Sequence, residues 1–117
     1  MRLEELAEII GAKVLNPEVA AGRVVERVCA GDRMSDLLNH ATDATLVVTN
    51  IASSQLVRGV ALMDASALCL LNGVLPEPQL VKAASESGTV VMVSPFDMFE
   101  TCGRLYSCFR NQRRAAQ

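Results

Sequence analysis

The chain has 117 residues, half of them hydrophobic, and its formal net charge at pH 7 is −2. This length fits a single domain, residues 1–117, around one core, and the slight negative charge excludes a general nucleic-acid binder, which would need a basic surface. The uncharged stretches at 44–57 and 65–76 are too short and too polar to span a membrane, and the acidic N-terminus is unlike a signal peptide, so we expect a cytoplasmic protein without membrane contact.

The first forty residues predict two helices and two strands. Hydrophobic residues spaced three and four apart favour the first helix, and Gly11 fits as its C-terminal cap. Asn16 and Pro17 stop the strand that follows. The predicted elements in chain order are a helix at 2–10, strands at 13–15 and 23–30, and a helix at 34–41.

From residue 44 onwards, apolar strands alternate with helices. Each strand is a continuous apolar run, which is typical of strands buried on both faces of a parallel sheet. The predicted strands are 44–49, 67–71 and 89–93, and the helices between them are 53–63, capped by Ser53 or Ser54, and 78–86. Such right-handed βαβ units predict an α/β fold with three α/β/α layers and a mainly parallel central sheet. The two N-terminal strands either extend this sheet or form a small one of their own.

The last predicted helix has recognisable ends. Ser94 fits as its N-cap, Pro95 as its first helical residue, and Asp97, three residues after Ser94, as the acid of a capping box. Cations near the other end would stabilise the helix dipole. They are Arg110, Arg113 and Arg114.

This last segment also contains every aromatic residue of the chain. The aromatic residues are Phe96, Phe99, Tyr106 and Phe109. Together with Cys102 and Gly103, they cover about 140° of a helical wheel. Two interpretations stay open: the stripe packs on the chain's own sheet, or Phe99, Gly103 and Tyr106 contribute to a homodimer interface. In the second case the glycine would permit close approach of a partner, although it costs about 1 kcal/mol of helix propensity.

Residues that could carry catalysis or bind a metal are few. The cysteines, none in a C-x-x-C pair, are Cys29, Cys69, Cys102 and Cys108. Cys69 lies inside an apolar strand, so we expect it to be buried and inert. The single histidine, His40, belongs to no motif, and a capping or solvent-exposed role is expected for it. The sequence therefore predicts no catalytic residue, no metal and no cofactor, and hence not an enzyme.

Small polar residues follow each of the three central strands. Ligands of open parallel sheets bind beyond the carboxyl ends of the strands, and helix N-termini there favour anions. The candidate ligand-binding residues are Thr49, Asn50, Ser53, Asn72, Gly73 and Ser94. Ordinary capping and turn formation accounts for each of them equally well.

Two segments resemble a known family. The run L-L-N-G at 70–73 and the longer run V-S-P-F-D-M-F-E-T-C-G-R-L-Y at 93–106 resemble a stand-alone DRTGG domain. The opening segment at 3–14 also fits, so the resemblance spans nearly the whole chain. One departure is clear: Asp32 and Arg33 continue as Met34-Ser35-Asp36, and the Thr-Gly-Gly of the motif is missing.

The resemblance implies an α/β/α domain similar to the N-terminal domain of HPr kinase/phosphorylase. The same module accompanies CBS domains and some phosphotransacetylases, and single-domain members are often encoded near iron-hydrogenase and related redox genes. It implies a non-catalytic regulatory or protein-interaction module, which we expect to be homodimeric. The alternatives are a sensor for a nucleotide or another small anion at the carboxyl ends of the strands, and an accessory subunit of a redox complex that binds another cytoplasmic protein.

Overall fold

The helices and strands fall close to the predicted positions. A computed structural model describes residues 1–116 of the chain. Their elements, in chain order, are α1 Leu3–Ile10, β1 Lys13–Val14, β2 Arg27–Ala30, α2 Met34–His40, β3 Thr45–Val48, α3 Ser54–Leu62, β4 Ala67–Leu70, α4 Pro78–Glu86, β5 Val90–Val93 and α5 Met98–Ala116. A single 3-10 turn at Pro17–Val19 follows β1 within the described residues.

The strands form one five-stranded sheet in the order β1-β5-β4-β3-β2. Strands β2 to β5 are parallel, and each pairs with its neighbour in sequence. β1 runs antiparallel to β5, with Lys13 opposite Val93. The two N-terminal strands therefore extend the main sheet at its opposite edges, which settles the alternative that the sequence left open.

Helices cover both faces of the sheet, which confirms the predicted three-layer α/β/α fold. Because successive strand residues point to opposite faces, Leu46 and Met92 pack with α1 and α5, whereas Val47 and Val91 pack with α2, α3 and α4. Every residue of β3, β4 and β5 is buried. The continuous apolar runs thus form the middle layer, as their pattern predicted.

The prediction of a strand from residue 23 to residue 30 was wrong over its first half. The segment before β2 is extended, but it pairs with the N-terminus of the chain rather than with β3. The N–H of Leu3 donates to the carbonyl of Arg23 at 3.0 Å, and the N–H of Val25 donates to that of Met1 at 2.7 Å. Val24 accordingly forms only an isolated bridge with Arg2.

The predicted start of the last helix was also wrong. α5 begins at Met98, and its cap is Asp97, whose Oδ1 accepts the N–H of Glu100 at 2.9 Å. Ser94 and Pro95 lie before the helix, in the loop that leaves β5. An acidic residue at the N-cap is as good a cap as serine, because its oxygen satisfies the same free N–H groups.

Asn16 closes the β1 edge of the sheet beyond this two-residue strand. Its buried amide donates to the carbonyl of Thr89 at 2.9 Å and to Oγ of Ser85 at 3.1 Å, and its Oδ1 accepts the N–H of Val91 at 2.8 Å. The side chain thereby replaces backbone partners that a longer strand would supply. The sequence pattern indicated only a strand stop at this position.

Candidate functional site

Two of the predicted ligand-binding residues are committed to the interior. Thr49 and Ser94 are fully buried. Oγ1 of Thr49 accepts the N–H of Ile51 at 3.2 Å. Oγ of Ser94 lies 2.7 Å from Oγ1 of Thr101 and accepts the N–H of Phe96 at 3.2 Å. These hydroxyls stabilise the loops after β3 and β5.

The loops after β4 and β5 are joined to each other. The chain leaves β4 towards α4 on one face of the sheet and leaves β5 towards α5 on the other, which is the arrangement that usually opens a ligand crevice. Here the N–H of Asn72 donates to the carbonyl of Phe96 and that of Gly73 to the carbonyl of Ser94, both at 2.8 Å. Asn72 and Gly73 have positive φ angles of 60° and 64° and form the predicted turn. Their N–H groups close this crevice rather than line it.

An open cleft lies instead between the N-terminal halves of α3 and α4. It has a volume of about 720 Å³ and is lined by Ser53, Gln55, Arg58, Pro76 and Glu77, among others. Ser53 caps α3, as predicted, by accepting the N–H of Leu56 at 3.2 Å. We name this open cleft the α3–α4 cleft.

Only one of the six predicted ligand-binding residues, Ser53, lines the α3–α4 cleft. Asn50, Asn72 and Gly73 are exposed nearby on loops. Arg58, the only charged residue of α3, was not predicted as a site residue. A single cation on a helix belongs to no motif, so the sequence carried no signal for it.

Cys29 and His40 line one pocket of about 480 Å³ beside β2, but the thiols of the chain have raised pKa values. Burial raises the pKa of Cys69 from 9.0 to about 12, and burial also raises the pKa values of Cys102 and Cys108. Burial, and secondarily the carboxylate of Asp36, raise the pKa of Cys29. A nucleophilic cysteine needs the opposite shift. His40 is exposed, as predicted, and its Nδ1 lies 2.8 Å from the carbonyl of Asp36.

The part of the chain that the structure describes offers no metal site and no membrane span. Among residues 1–116, no three histidine, cysteine or acidic side chains are close enough together to hold a metal ion. None of the helices in this range has the length and hydrophobicity needed to cross a bilayer.

α5 presents an aromatic face to solvent. Phe99, Gly103 and Tyr106 are spaced by four and three residues, so they lie on one side of the helix. Phe99 is 88% exposed and Tyr106 is 68% exposed. We name these three residues the outer face of α5. The sheet-packing alternative is therefore wrong for Phe99 and Tyr106, while Phe109 is half-buried against the core.

Two helical glycines differ in what surrounds them. A Cβ atom on Gly59 would lie 2.6 Å from Cδ2 of Leu38, so any side chain at this position would force Leu38 of α2 to shift. A Cβ atom on Gly103 would meet nothing within 4 Å. Packing within the chain thus accounts for Gly59 and leaves Gly103 without a structural reason.

Comparison with known proteins identifies both a family and a related fold. The family model described as the DRTGG domain matches residues 5–108. No functionally curated protein matches the chain. Among solved structures, the chain is similar to the CBS and DRTGG domains of the regulatory region of Clostridium perfringens pyrophosphatase, complexed with the activator diadenosine tetraphosphate. The TM-score is 0.64 at 12% identity, over 86% of this chain and 44% of that one, so the present chain spans less than half of that structure.

Proposed function

The chain belongs to the DRTGG-domain family, and we propose that it is a non-catalytic regulatory module that acts through a protein interface on the outer face of α5. The regulatory role is supported by the similarity to a regulatory region of a pyrophosphatase. The absence of a catalytic role is supported by the raised thiol pKa values and by the exposed position of His40.

The exposed aromatic pair is the observation that carries this proposal. Phe99 and Tyr106 expose most of their surface on one face of a regular helix, with an unexplained glycine between them. Aromatic residues are enriched at protein interfaces, because a large rigid side chain buries much area at a small entropic cost. We propose that a second copy of the chain covers this face and that the protein works as a homodimer.

Replacement of Tyr106 by glutamate tests the proposal. Since Tyr106 is exposed in the single chain, Tyr106→Glu should leave circular dichroism and thermal unfolding of the monomer unchanged, while light scattering should show loss of the dimer. Leu62→Glu is the matched control, because Leu62 is an 84% exposed residue of α3 and receives the same charge away from α5. If both variants and the wild type have the mass of one chain, the homodimer is wrong.

A second candidate function is the sensing of a small anionic ligand in the α3–α4 cleft. Arg58 and the N-terminus of α3 border this cleft, and both favour anions. The similar pyrophosphatase region binds diadenosine tetraphosphate. Glu77 on the opposite wall would disfavour a highly charged ligand unless it pairs with Arg58.

A thermal-shift titration tests the ligand proposal. Diadenosine tetraphosphate, ATP and AMP should raise the Tm of the wild type, and the tighter ligand should raise it more, because a ligand that binds only the folded state stabilises it. Arg58→Ala should abolish the shift, whereas Arg33→Ala, an exposed arginine of the loop before α2, should retain it. An unchanged Tm with all three nucleotides would contradict nucleotide sensing at this cleft.

The association with iron-hydrogenase or other redox systems, and with it the role of accessory subunit, stays a prediction from the family resemblance. Co-purification of the tagged chain from its native cell with a redox enzyme would support it, and the same purification with Tyr106→Glu would show whether α5 contributes to that contact.

A further inference from the structure

We infer that the outer faces of α5 from two copies of this chain cross antiparallel, about a two-fold axis at Gly103. This inference rests on the proposed homodimer and adds its geometry. It assigns each aromatic ring a partner: Phe99 of one copy packs against the partner subunit's Tyr106. The structure supports it through the spacing of the rings, the distribution of charge along α5 and the open surface at Gly103.

The two aromatic residues of the outer face are spaced almost symmetrically about Gly103, so the pattern is nearly the same in both directions along the helix. Phe99 lies four residues before Gly103, and Tyr106 lies three residues after it. In an antiparallel crossing at Gly103, residues at equal distances on either side of the glycine come opposite each other, so Phe99 and the partner's Tyr106 differ by one residue, about 1.5 Å, along the axis. A two-fold interface requires such self-complementarity, since the same patch is used by both copies.

Charge along α5 favours the antiparallel orientation over the parallel one. Asp97 and Glu100 lie at the N-terminal end of α5, where Glu100 also accepts a hydrogen bond from Arg104 at 2.8 Å, and the C-terminal end carries Arg110, Arg113 and Arg114. Antiparallel crossing brings the acidic end of one helix near the basic end of the other, whereas parallel crossing brings like charges together. The helix dipoles also oppose each other in the antiparallel case.

The surface beside Gly103 is open. A groove of about 360 Å³ lies between α1 and α5, and it is lined by Gly103, by the half-exposed Ile9 and by mostly polar side chains of α5, among them Glu100 and Ser107. Since a Cβ atom at Gly103 would meet nothing in its own chain, the glycine leaves room there for the backbone of a partner helix. Close helix approach at a glycine increases the contact area of the flanking rings.

The expected contact is of modest size. Aromatic side chains bury about 150–250 Å² each, so the four rings of the outer faces together would bury about 600–1,000 Å². Stable dimers bury about 1,200–2,000 Å² in total. We therefore expect a concentration-dependent dimer with a micromolar Kd rather than an obligate one.

Disulfide cross-linking tests the orientation. In the proposed register, residue 100 of one copy lies about 1.5 Å along the helix axis from residue 107 of the other copy. The two residues 100 of the dimer are about 9 Å apart along the axis, and the two residues 107 are about 12 Å apart. Glu100 and Ser107 are exposed, so Glu100→Cys combined with Ser107→Cys should fold normally. Mild oxidation should convert most of this double variant to a covalent dimer. Within one helix the two thiols are two turns apart and cannot bond.

The two single variants and the wild type are the controls, and they retain the native cysteines. We expect the double variant to cross-link at least tenfold faster than any of them. If Glu100→Cys or Ser107→Cys alone cross-links as fast, the helices are parallel and the inference is overturned. If light scattering shows a dimer but the double variant does not cross-link, the antiparallel register is wrong and the proposed homodimer stands. If the wild type has the mass of one chain at every concentration, both fail.

A charge reversal gives a second readout without new thiols. Arg110→Glu should raise the Kd of the dimer about fivefold or more, because it places like charges near the partner's acidic end. Arg33→Glu is the control for net charge, since Arg33 lies before α2, which packs on the opposite face of the sheet from α5. Equal effects of the two reversals on the Kd would overturn the proposed charge pairing.

Discussion

The two sides of α5 contrast in a way that composition does not predict. The inner side buries Thr101 and Leu105 against the sheet, at 0% and 1% exposure, whereas the outer face exposes Phe99 and Tyr106. A hydroxyl residue is therefore inside and two aromatic residues are outside. Thr101 can be buried because its Oγ1 pairs with Ser94. The rotation of α5 about its own axis relative to the sheet, rather than residue hydrophobicity, therefore determines which side of the helix forms the core.

Truncation of the inner side should have the largest effect on stability. Leu105→Ala removes a fully buried side chain of the core shared by α1 and α5 and should lower the free energy of unfolding by about 2–5 kcal/mol. Urea denaturation at low protein concentration measures this loss in the free energy of unfolding. Phe99→Ala on the outer face is the control and should change the stability of the monomer by less than about 0.5 kcal/mol. Equal losses in the two variants would contradict the assignment of inner and outer sides.

The buried hydroxyl pair should contribute a smaller amount. Thr101→Val keeps the shape of the side chain but leaves the Ser94 hydroxyl without its 2.7 Å partner, so we expect a loss of about 1–3 kcal/mol. Because the cost comes from the unpaired group, the double variant Ser94→Ala/Thr101→Val should lose less than the sum of the single variants. Additive losses in the same denaturation assay would show that the two hydroxyls act independently.

Replacing the two helical glycines by alanine should change the free energy of unfolding least, and the two changes should have opposite signs. Gly103→Ala should stabilise the monomer by about 0.8–1 kcal/mol through helix propensity alone, since the added methyl meets nothing in the chain. Gly59→Ala gains the same propensity but forces Leu38 to move, and overpacking of this kind costs about 1–3 kcal/mol. Thermal unfolding of the two variants side by side measures the difference. A destabilised Gly103→Ala monomer would show that this glycine has a role within the chain.

Much of the fold follows from local pattern. The buried strands β3 to β5 and the helices α3 and α4 were predicted within one or two residues, because apolar runs, the Ser53 cap of α3, the Pro78 start of α4 and glycine stops are short-range signals. The places of β1 and β2 in the sheet stayed open, since both strands are short and their pairing depends on contacts distant in sequence. The start of α5 was misplaced because Ser94 and Asp97 are both good caps, and only the buried contact with Thr101 fixes Ser94 outside the helix.

Less of the candidate site could be predicted. Burial of Thr49 and Ser94 depends on how the loops after the strands fold back, and the pairing of Asn72 with Phe96 is a contact between loops 24 residues apart. Arg58 was overlooked because a single cation on a helix carries no motif. The outer face of α5 was predicted as one of two alternatives, and deciding between them required the rotation of α5 about its own axis, which depends on packing with α1 and the sheet.

Sedimentation of the wild-type chain shows whether the outer face of α5 forms a homodimer. The chain has a mass of 12.5 kDa, and a homodimer through the outer face of α5 predicts that the weight-average mass rises towards twice this value between about 1 µM and about 500 µM. The account also predicts that Tyr106→Glu remains at the monomer mass throughout while its far-UV circular dichroism stays that of the wild type. A wild-type mass of one chain at the highest concentration, or a Tyr106→Glu variant that dimerises as well as the wild type, would contradict the claim.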